Sequence, residues 1–166
     1  MILSNLRVVH DYAMARSEYK RLFQMHYDLM CEYVKLRENM GEESKKYITD
    51  LAVLIDSVRE EFNLAVKELD TAERRYNNRI MMASTEELKE LLSEVTALIV
   101  EVDESIKSLK YVKVSISNNG RKSLAAKEII NERLAAMKRY KESCIERKKE
   151  IKFTIESTQE RTKRSR

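Results

Sequence analysis

Apolar residues recur along most of this chain at alternating spacings of four and three, the pattern of helices that pack along a continuous seam. The longest seam lies in residues 48–76 and consists of Ile48, Leu51, Ile55, Val58, Phe62, Ala65, Leu69, Ala72 and Tyr76. Similar seams run through residues 8–36 and 88–109. Four further apolar residues widen the first stripe: Phe23, Tyr27, Met30 and Val34. Wide stripes are typical of helical bundles rather than of two-stranded coiled coils.

Three breaks separate the apolar segments. Gly41 can adopt the left-handed conformation that ends a helix. Ser84, with Glu87 three residues later, has the spacing of a capping box, which marks the start of a helix. Residues 117–120 read Ser-Asn-Asn-Gly, a turn sequence. These breaks predict four helices, near residues 5–39, 43–82, 85–116 and 121–160.

Composition favours the same fold. The chain of 166 residues has no Pro and only two Gly, whereas 36% of its residues are charged. Strands joined by tight turns need more turn residues than this. We therefore predict one all-α domain over residues 1–160, an elongated antiparallel four-helix bundle with coiled-coil-like heptad packing. The alternative is a long three-helix antiparallel coil in which the first two helices continue through Gly41, because Gly inside a helix costs only about 1 kcal/mol.

Positive charge is concentrated near the end of the chain. Residues 118–166 hold 15 Lys and Arg against 7 Asp and Glu, whereas residues 1–117 hold 17 against 21. In the last predicted helix, Lys141 and Lys148 interrupt the apolar seam at two positions. Residues 161–166 are basic and are predicted to form a disordered tail.

Two interpretations of this charge remain open. In the first, the lysine stems cover apolar surface at the bundle edge, and their charges pair internally with the interleaved Glu142, Glu146, Glu150 and Glu156. Alternatively, the cations contact an acidic partner or the phosphates of a nucleic acid. The candidate contact residues are Lys138, Arg139, Lys141, Arg147, Lys148, Lys149, Lys152, Arg161, Lys163, Arg164 and Arg166.

No residue pattern indicates catalysis, a metal site or a cofactor. The two His residues, His10 and His26, lack the Glu-x-x-His spacing of bundle metal sites. Cys31 and Cys144 are too few and too far apart for a disulfide framework or a zinc site. The start of the chain lacks the pattern of a signal peptide, and no apolar run is long enough to span a bilayer. A cytoplasmic protein that does not insert into membranes is expected.

The sequence thus favours a non-enzymatic helical protein that acts by protein–protein contact, as an assembly, scaffold, adaptor or chaperone-like subunit. Its wide apolar stripes need cover, so the partners are other proteins, further copies of the chain in a homo-oligomer, or both. The alternative is a nucleic-acid-binding accessory protein that uses the basic fourth helix and the tail.

Overall fold

A computed structural model of the protein describes residues 5–38, 44–116 and 120–164. Over these ranges the chain forms four helices and no strand: α1 (Asn5–Glu38), α2 (Ser44–Met82), α3 (Thr85–Ser115) and α4 (Arg121–Arg164). The predicted all-α fold is confirmed. In residues 112–116 apolar and polar side chains alternate as they would in a strand, but the stretch continues α3 as far as Ser115.

Local chemistry explains the start of α3. The Ser84 hydroxyl accepts a hydrogen bond from the Glu87 amide at 3.2 Å, and the Glu87 carboxylate accepts one from the Ser84 amide at 2.7 Å. These bonds confirm the predicted capping box. Gly120, directly before α4, has a φ of +106°, which a residue with a side chain rarely adopts. The predicted break at Gly41 and residues 117–119 of the predicted turn lie outside the described residues.

Helices α1 and α2 pack side by side in opposite directions. The Tyr12 hydroxyl donates a hydrogen bond to Glu73 at 3.3 Å, and the Tyr47 hydroxyl donates one to Glu32 at 2.6 Å. The first contact joins the start of α1 to the end of α2, and the second joins the opposite ends. The chain therefore reverses direction between the two helices, which excludes the alternative with one continuous helix.

The other two helices form a second antiparallel pair. Lys141 of α4 binds Asp103 of α3 at 2.5 Å, and the two pairs meet mainly where α1 packs on α4. At that contact the Ser17 hydroxyl donates a hydrogen bond to the Ala136 carbonyl at 3.4 Å. The protein is thus an antiparallel four-helix bundle.

The apolar core is shared by all four helices only at the end of the bundle that contains Ser84. There, buried residues of every helix form one cluster: Val8, Val9, Tyr12, Ala72, Tyr76, Leu88, Leu91, Val95, Ile151 and Ile155. Toward the other end, called here the distal end, Leu22, Val58 and Ala65 form a cluster from α1 and α2 alone. A third cluster joins α3 and α4 to Ala13 of α1. The two helix pairs therefore have largely separate apolar contacts at the distal end.

The buried positions match the predicted seam in α2 and differ from it in α4. In α2, six of the predicted seam residues are buried: Leu51, Ile55, Val58, Ala65, Ala72 and Tyr76. In α4 the seam residues Leu134, Cys144, Ile151 and Ile155 are buried, and the difference lies at the two lysines. There the preceding residues, Tyr140 and Arg147, are buried, whereas Lys141 and Lys148 are only half-buried. Lysine cannot leave its charge in an apolar core without a partner, so the helix turns these two side chains toward the edge.

The predicted end of α4 at residue 160 is too early, because the helix continues to Arg164. No Gly or Pro interrupts this stretch, and the hydroxyls of Thr158 and Thr162 bond back to carbonyls one turn earlier. Residues 161–164 therefore form an exposed helical turn and not the predicted disordered tail. Over the ranges that the structure describes, no helix has an apolar stretch long enough to span a membrane.

Candidate functional site

Arg147, one of the candidate contact residues, lies inside the bundle. Its side chain is 8% exposed, and its guanidinium carbon is 4.4 Å from the centre of the Tyr12 ring and 5.5 Å from that of Tyr76. Glu150 pairs with it at 3.0 Å from the next turn of α4. Two aromatic faces and a carboxylate replace the water that the cation loses on burial. The prediction that Arg147 contacts an external partner is therefore wrong.

Lys141 is also engaged within the bundle. It binds Asp103 at 2.5 Å, and Lys107 binds the same carboxylate at 3.4 Å. These two contacts hold the pKa of Asp103 below its ordinary value, because they favour the carboxylate. The charge of Lys141 thus joins α3 to α4.

The remaining candidate cations are spread along the length of α4, and four of the exposed ones, Lys138, Lys149, Lys152 and Lys163, lie on one face by helical spacing. Arg139 and Lys148 are half-buried. The exposed ones are Lys138, Lys149, Lys152, Arg161, Lys163 and Arg164. Arg166 lies beyond the last residue that the structure describes. Of the described candidates, only Lys138 lines the groove described next.

Four lysines line one groove between α3 and α4 at the distal end. This lysine groove has a volume of about 700 Å³, and its cations are Lys110, Lys113, Lys127 and Lys138. Apolar side chains lie between them: Val114, Ile116, Leu134 and Ala135. None of the described residues that line the groove is acidic. Ammonium groups that share a concave surface raise the local positive potential, so the groove is suited to an anionic ligand.

Three of these lysines were missed by the sequence analysis, which examined the density of charge along α4. Lys110 and Lys113 lie on α3, and Lys127 lies near the start of α4, where the chain is less densely basic. One signal was present: residues 107–133 hold seven Lys and Arg against two Glu. The antiparallel pairing of α3 and α4 brings the two short stretches together.

An exposed apolar stripe on α1 lies in the distal half of the bundle. Phe23, Tyr27 and Val34 are 52%, 58% and 49% exposed, and Met30 between them is half-buried. Their spacings of four, three and four place them on one helix face. These are the residues that widen the first seam in the sequence, and the bundle leaves them largely uncovered. Contiguous exposed apolar surface marks contact sites in proteins.

Cys144 and the two histidines each lie against core or aromatic side chains. The Cys144 thiol is fully buried, and burial raises its pKa, so it stays protonated at neutral pH. Its neighbour Tyr140 forms a hydrogen bond with His10 Nδ1 at 2.8 Å. His26 stacks on Phe62, with ring centres 6.3 Å apart. Among the described residues there is no cluster of three His, Cys, Asp or Glu that could hold a metal ion.

Comparisons with known proteins give the chain no relative. No protein-family model, no curated protein sequence and no solved structure matches it significantly.

Proposed function

We propose that this chain is a non-enzymatic helical protein that acts by protein–protein contact, as an assembly, scaffold, adaptor or chaperone-like subunit in the cytoplasm. One observation carries the proposal, the exposed α1 stripe of Phe23, Tyr27, Met30 and Val34. Two aromatic side chains and Met are the residue types enriched in the centres of protein interfaces. The bundle is already folded around its own core, so the stripe is available for a partner.

Site-specific photocrosslinking in cells tests this proposal. A photoreactive phenylalanine analogue at Tyr27 should give discrete crosslinked products at the mass of the chain plus its partner. The matched control carries the same analogue at Phe153, which is 70% exposed on α4 outside the stripe. Products of equal yield from both positions, or none from Tyr27, would contradict the proposal.

A truncation of the stripe provides a second readout. Tyr27→Ser removes an exposed apolar ring, so the fold should tolerate it within about 0.5 kcal/mol. The same change should abolish crosslinking from an analogue placed at the neighbouring Phe23. Loss of helix content in Tyr27→Ser by circular dichroism would show instead that the stripe is part of the fold.

Nucleic-acid binding is the second candidate function, and the lysine groove is the observation that favours it. Phosphate contacts by several lysines give an affinity that falls steeply with salt. Fluorescence anisotropy with labelled DNA and RNA at about 50 and 200 mM salt measures this loss. Lys110→Gln with Lys138→Gln should weaken such binding, whereas Lys149→Gln with Lys163→Gln, outside the groove, should not. Binding that is independent of salt and of the groove would remove this candidate.

A further inference from the structure

The lysine groove combines cations with an apolar floor. Leu134 in the floor is 7% exposed, whereas Val114 at the rim is 84% exposed. Lys127 and Lys138 are eleven residues apart on one helix, a rise of about 16 Å. A phosphate backbone would pair with the lysines but would make no favourable contact with the apolar floor. A helix with acidic and apolar residues on one face satisfies both parts of the groove.

The chain itself carries such a helix face. Val53 and Leu64 of α2 are 67% and 60% exposed, and both point away from the core side of the helix. Asp50, Glu60 and Glu68 are exposed on the same side of the helix: Asp50 and Glu68 are about five full turns apart, and Glu60 lies within about a quarter turn of both. Residues 50–73 hold seven Asp and Glu against two Lys and Arg. We call this surface the acidic α2 face.

The charges of the two surfaces have matching spans. Asp50 and Glu60 are ten residues apart, a rise of about 15 Å, close to the rise of about 16 Å between Lys127 and Lys138. A helix laid along the groove can therefore place one carboxylate near each lysine, with Val53 between them against the apolar floor. Opposite charges at matched distances, around apolar contact, are the arrangement of a specific interface.

The two surfaces do not meet within one chain. The described residues that line the groove belong to α3, its C-cap Ile116 and α4, and α2 packs on α1. The part of the acidic α2 face around Asp50 and Val53 nevertheless lies at the distal end with the groove, because α2 begins there and α3 ends there. Two chains that face each other by their distal ends can thus form the same contact twice, once in each direction. Homodimers with twofold symmetry are held by such reciprocal contacts.

We propose that the lysine groove binds the acidic α2 face of a second copy of this chain. The proposal extends protein–protein contact from an unidentified partner to the chain itself. It uses neither Phe23 nor Tyr27, so the α1 stripe remains available to another protein in the assembly. Its failure would leave the crosslinking result at Tyr27 unaffected.

Paired charge reversals test the proposal by sedimentation of the full chain over a range of concentrations. The wild type, with a chain mass of 19.6 kDa, should associate reversibly, and more strongly at low salt. The groove variant is Lys113→Glu with Lys138→Glu, and the face variant is Asp50→Lys with Glu60→Lys. Each should associate at least about 100-fold more weakly, because it places like charges opposite each other.

Mixing the two variants gives the decisive result. In the mixture, the reversed groove of one variant meets the reversed face of the other, and both unreversed surfaces also meet. Association should therefore return in the equimolar mixture although each variant alone is monomeric. The matched control, Lys149→Glu with Lys163→Glu, changes charge outside the groove and should associate like the wild type.

Any of three outcomes would overturn the proposal. One is a wild-type chain that stays monomeric at every concentration at low salt. Another is an oligomer that both charge-reversal variants retain. A monomeric chain that binds DNA or RNA through the same four lysines would overturn it too, and would assign the groove to nucleic acid. Circular dichroism of each variant checks that the exposed substitutions leave the helices intact.

Discussion

The guanidinium of Arg147 lies over the ring of Tyr12, 4.4 Å from the ring centre, on the inner side of the bundle. Tyr12 in turn stacks on Tyr76, with ring centres 5.4 Å apart. A cation from α4 is thus held by aromatic side chains from α1 and α2, and Glu150 neutralises it from its own helix. This contact joins three of the four helices at a single charge.

Removal of the Arg147 side chain should destabilise the bundle strongly. Arg147→Ala leaves a cavity and loses the contact with both rings, so we expect a loss of about 2–4 kcal/mol in the free energy of unfolding. Arg147→Met fills most of the same volume and removes the buried charge, so its cost should stay below about 1.5 kcal/mol. Urea denaturation followed by circular dichroism measures both.

Lys148, the half-buried residue next to Arg147, provides the control for the two Arg147 substitutions. Lys148→Ala should change the free energy of unfolding by less than about 0.5 kcal/mol, because its charged end reaches water. If Lys148→Ala cost as much as Arg147→Ala, the assignment of the buried position in α4 would be contradicted.

The two stacked tyrosines should respond in opposite directions to loss of their hydroxyls. Burial raises the pKa of Tyr76 and the nearby Glu150 carboxylate raises it further, yet the buried hydroxyl makes no hydrogen bond of normal geometry with a described residue. Tyr76→Phe removes an unsatisfied polar group and should be neutral or stabilise by about 1 kcal/mol. Tyr12→Phe loses the bond to Glu73 and should cost about 0.5–1 kcal/mol. A clear loss of stability in Tyr76→Phe would indicate a bond that this structure lacks.

The Asp103 carboxylate should make the free energy of unfolding depend on pH. Its pKa is lowered from the ordinary value of 3.8 by Lys141 first and by Lys107 second. As the pH falls, the unfolded chain takes up the proton before the folded one does, so the stabilisation present above the unfolded pKa is lost below it. Asp103→Asn should therefore lower the melting temperature at pH 7, and this effect should shrink as the pH falls from the unfolded pKa through the lowered folded pKa.

Two further experiments distinguish the Asp103–Lys141 interaction from general effects of charge: a double variant, and a control substitution at the neighbouring Glu104. Lys141→Met should lower the melting temperature at pH 7, and adding Asp103→Asn should cost less than the two changes summed. Glu104→Gln, at the exposed next position, should not reproduce the same pH dependence. Strict additivity of Asp103→Asn and Lys141→Met would argue against a direct interaction.

The two cysteines should differ in reactivity. Cys144 is fully buried and its pKa is raised by burial, whereas Cys31 is half-buried. A thiol reagent such as Ellman's reagent at about pH 8 should react rapidly with one thiol per native chain, since the thiolate is the reactive form. Cys31→Ser should leave only slow reaction, and Cys144→Ser should leave the fast one. Fast reaction in Cys31→Ser would contradict the buried position of Cys144.

The sequence predicted the helices well because their determinants are local. The capping box at Ser84 and the seam of α2 depend on residues within a few turns of one another, and both are confirmed. The end of α4 was misplaced because a basic run was interpreted as disorder, although nothing in Thr158–Arg164 breaks a helix.

The groove and the buried cation could not be predicted in the same way, because both depend on pairing between distant segments. Lys110 and Lys138 share a surface only after α3 and α4 have packed. Arg147 is buried only because Tyr12 and Tyr76 meet it from α1 and α2. The 3.5-residue repeat placed Lys148 and not Arg147 on the apolar seam, because spacing along the sequence cannot decide which of two adjacent residues faces the core.

The position of Arg147 also limits how the helices can slide. Heptad seams repeat every seven residues, so α4 could shift along its neighbours by about 10 Å and still bury apolar side chains. After such a shift the guanidinium would leave the stacked rings of Tyr12 and Tyr76, and a buried cation that loses its matched surroundings is costly. A single arginine among repeated apolar positions thus sets the register of α4 against α1 and α2.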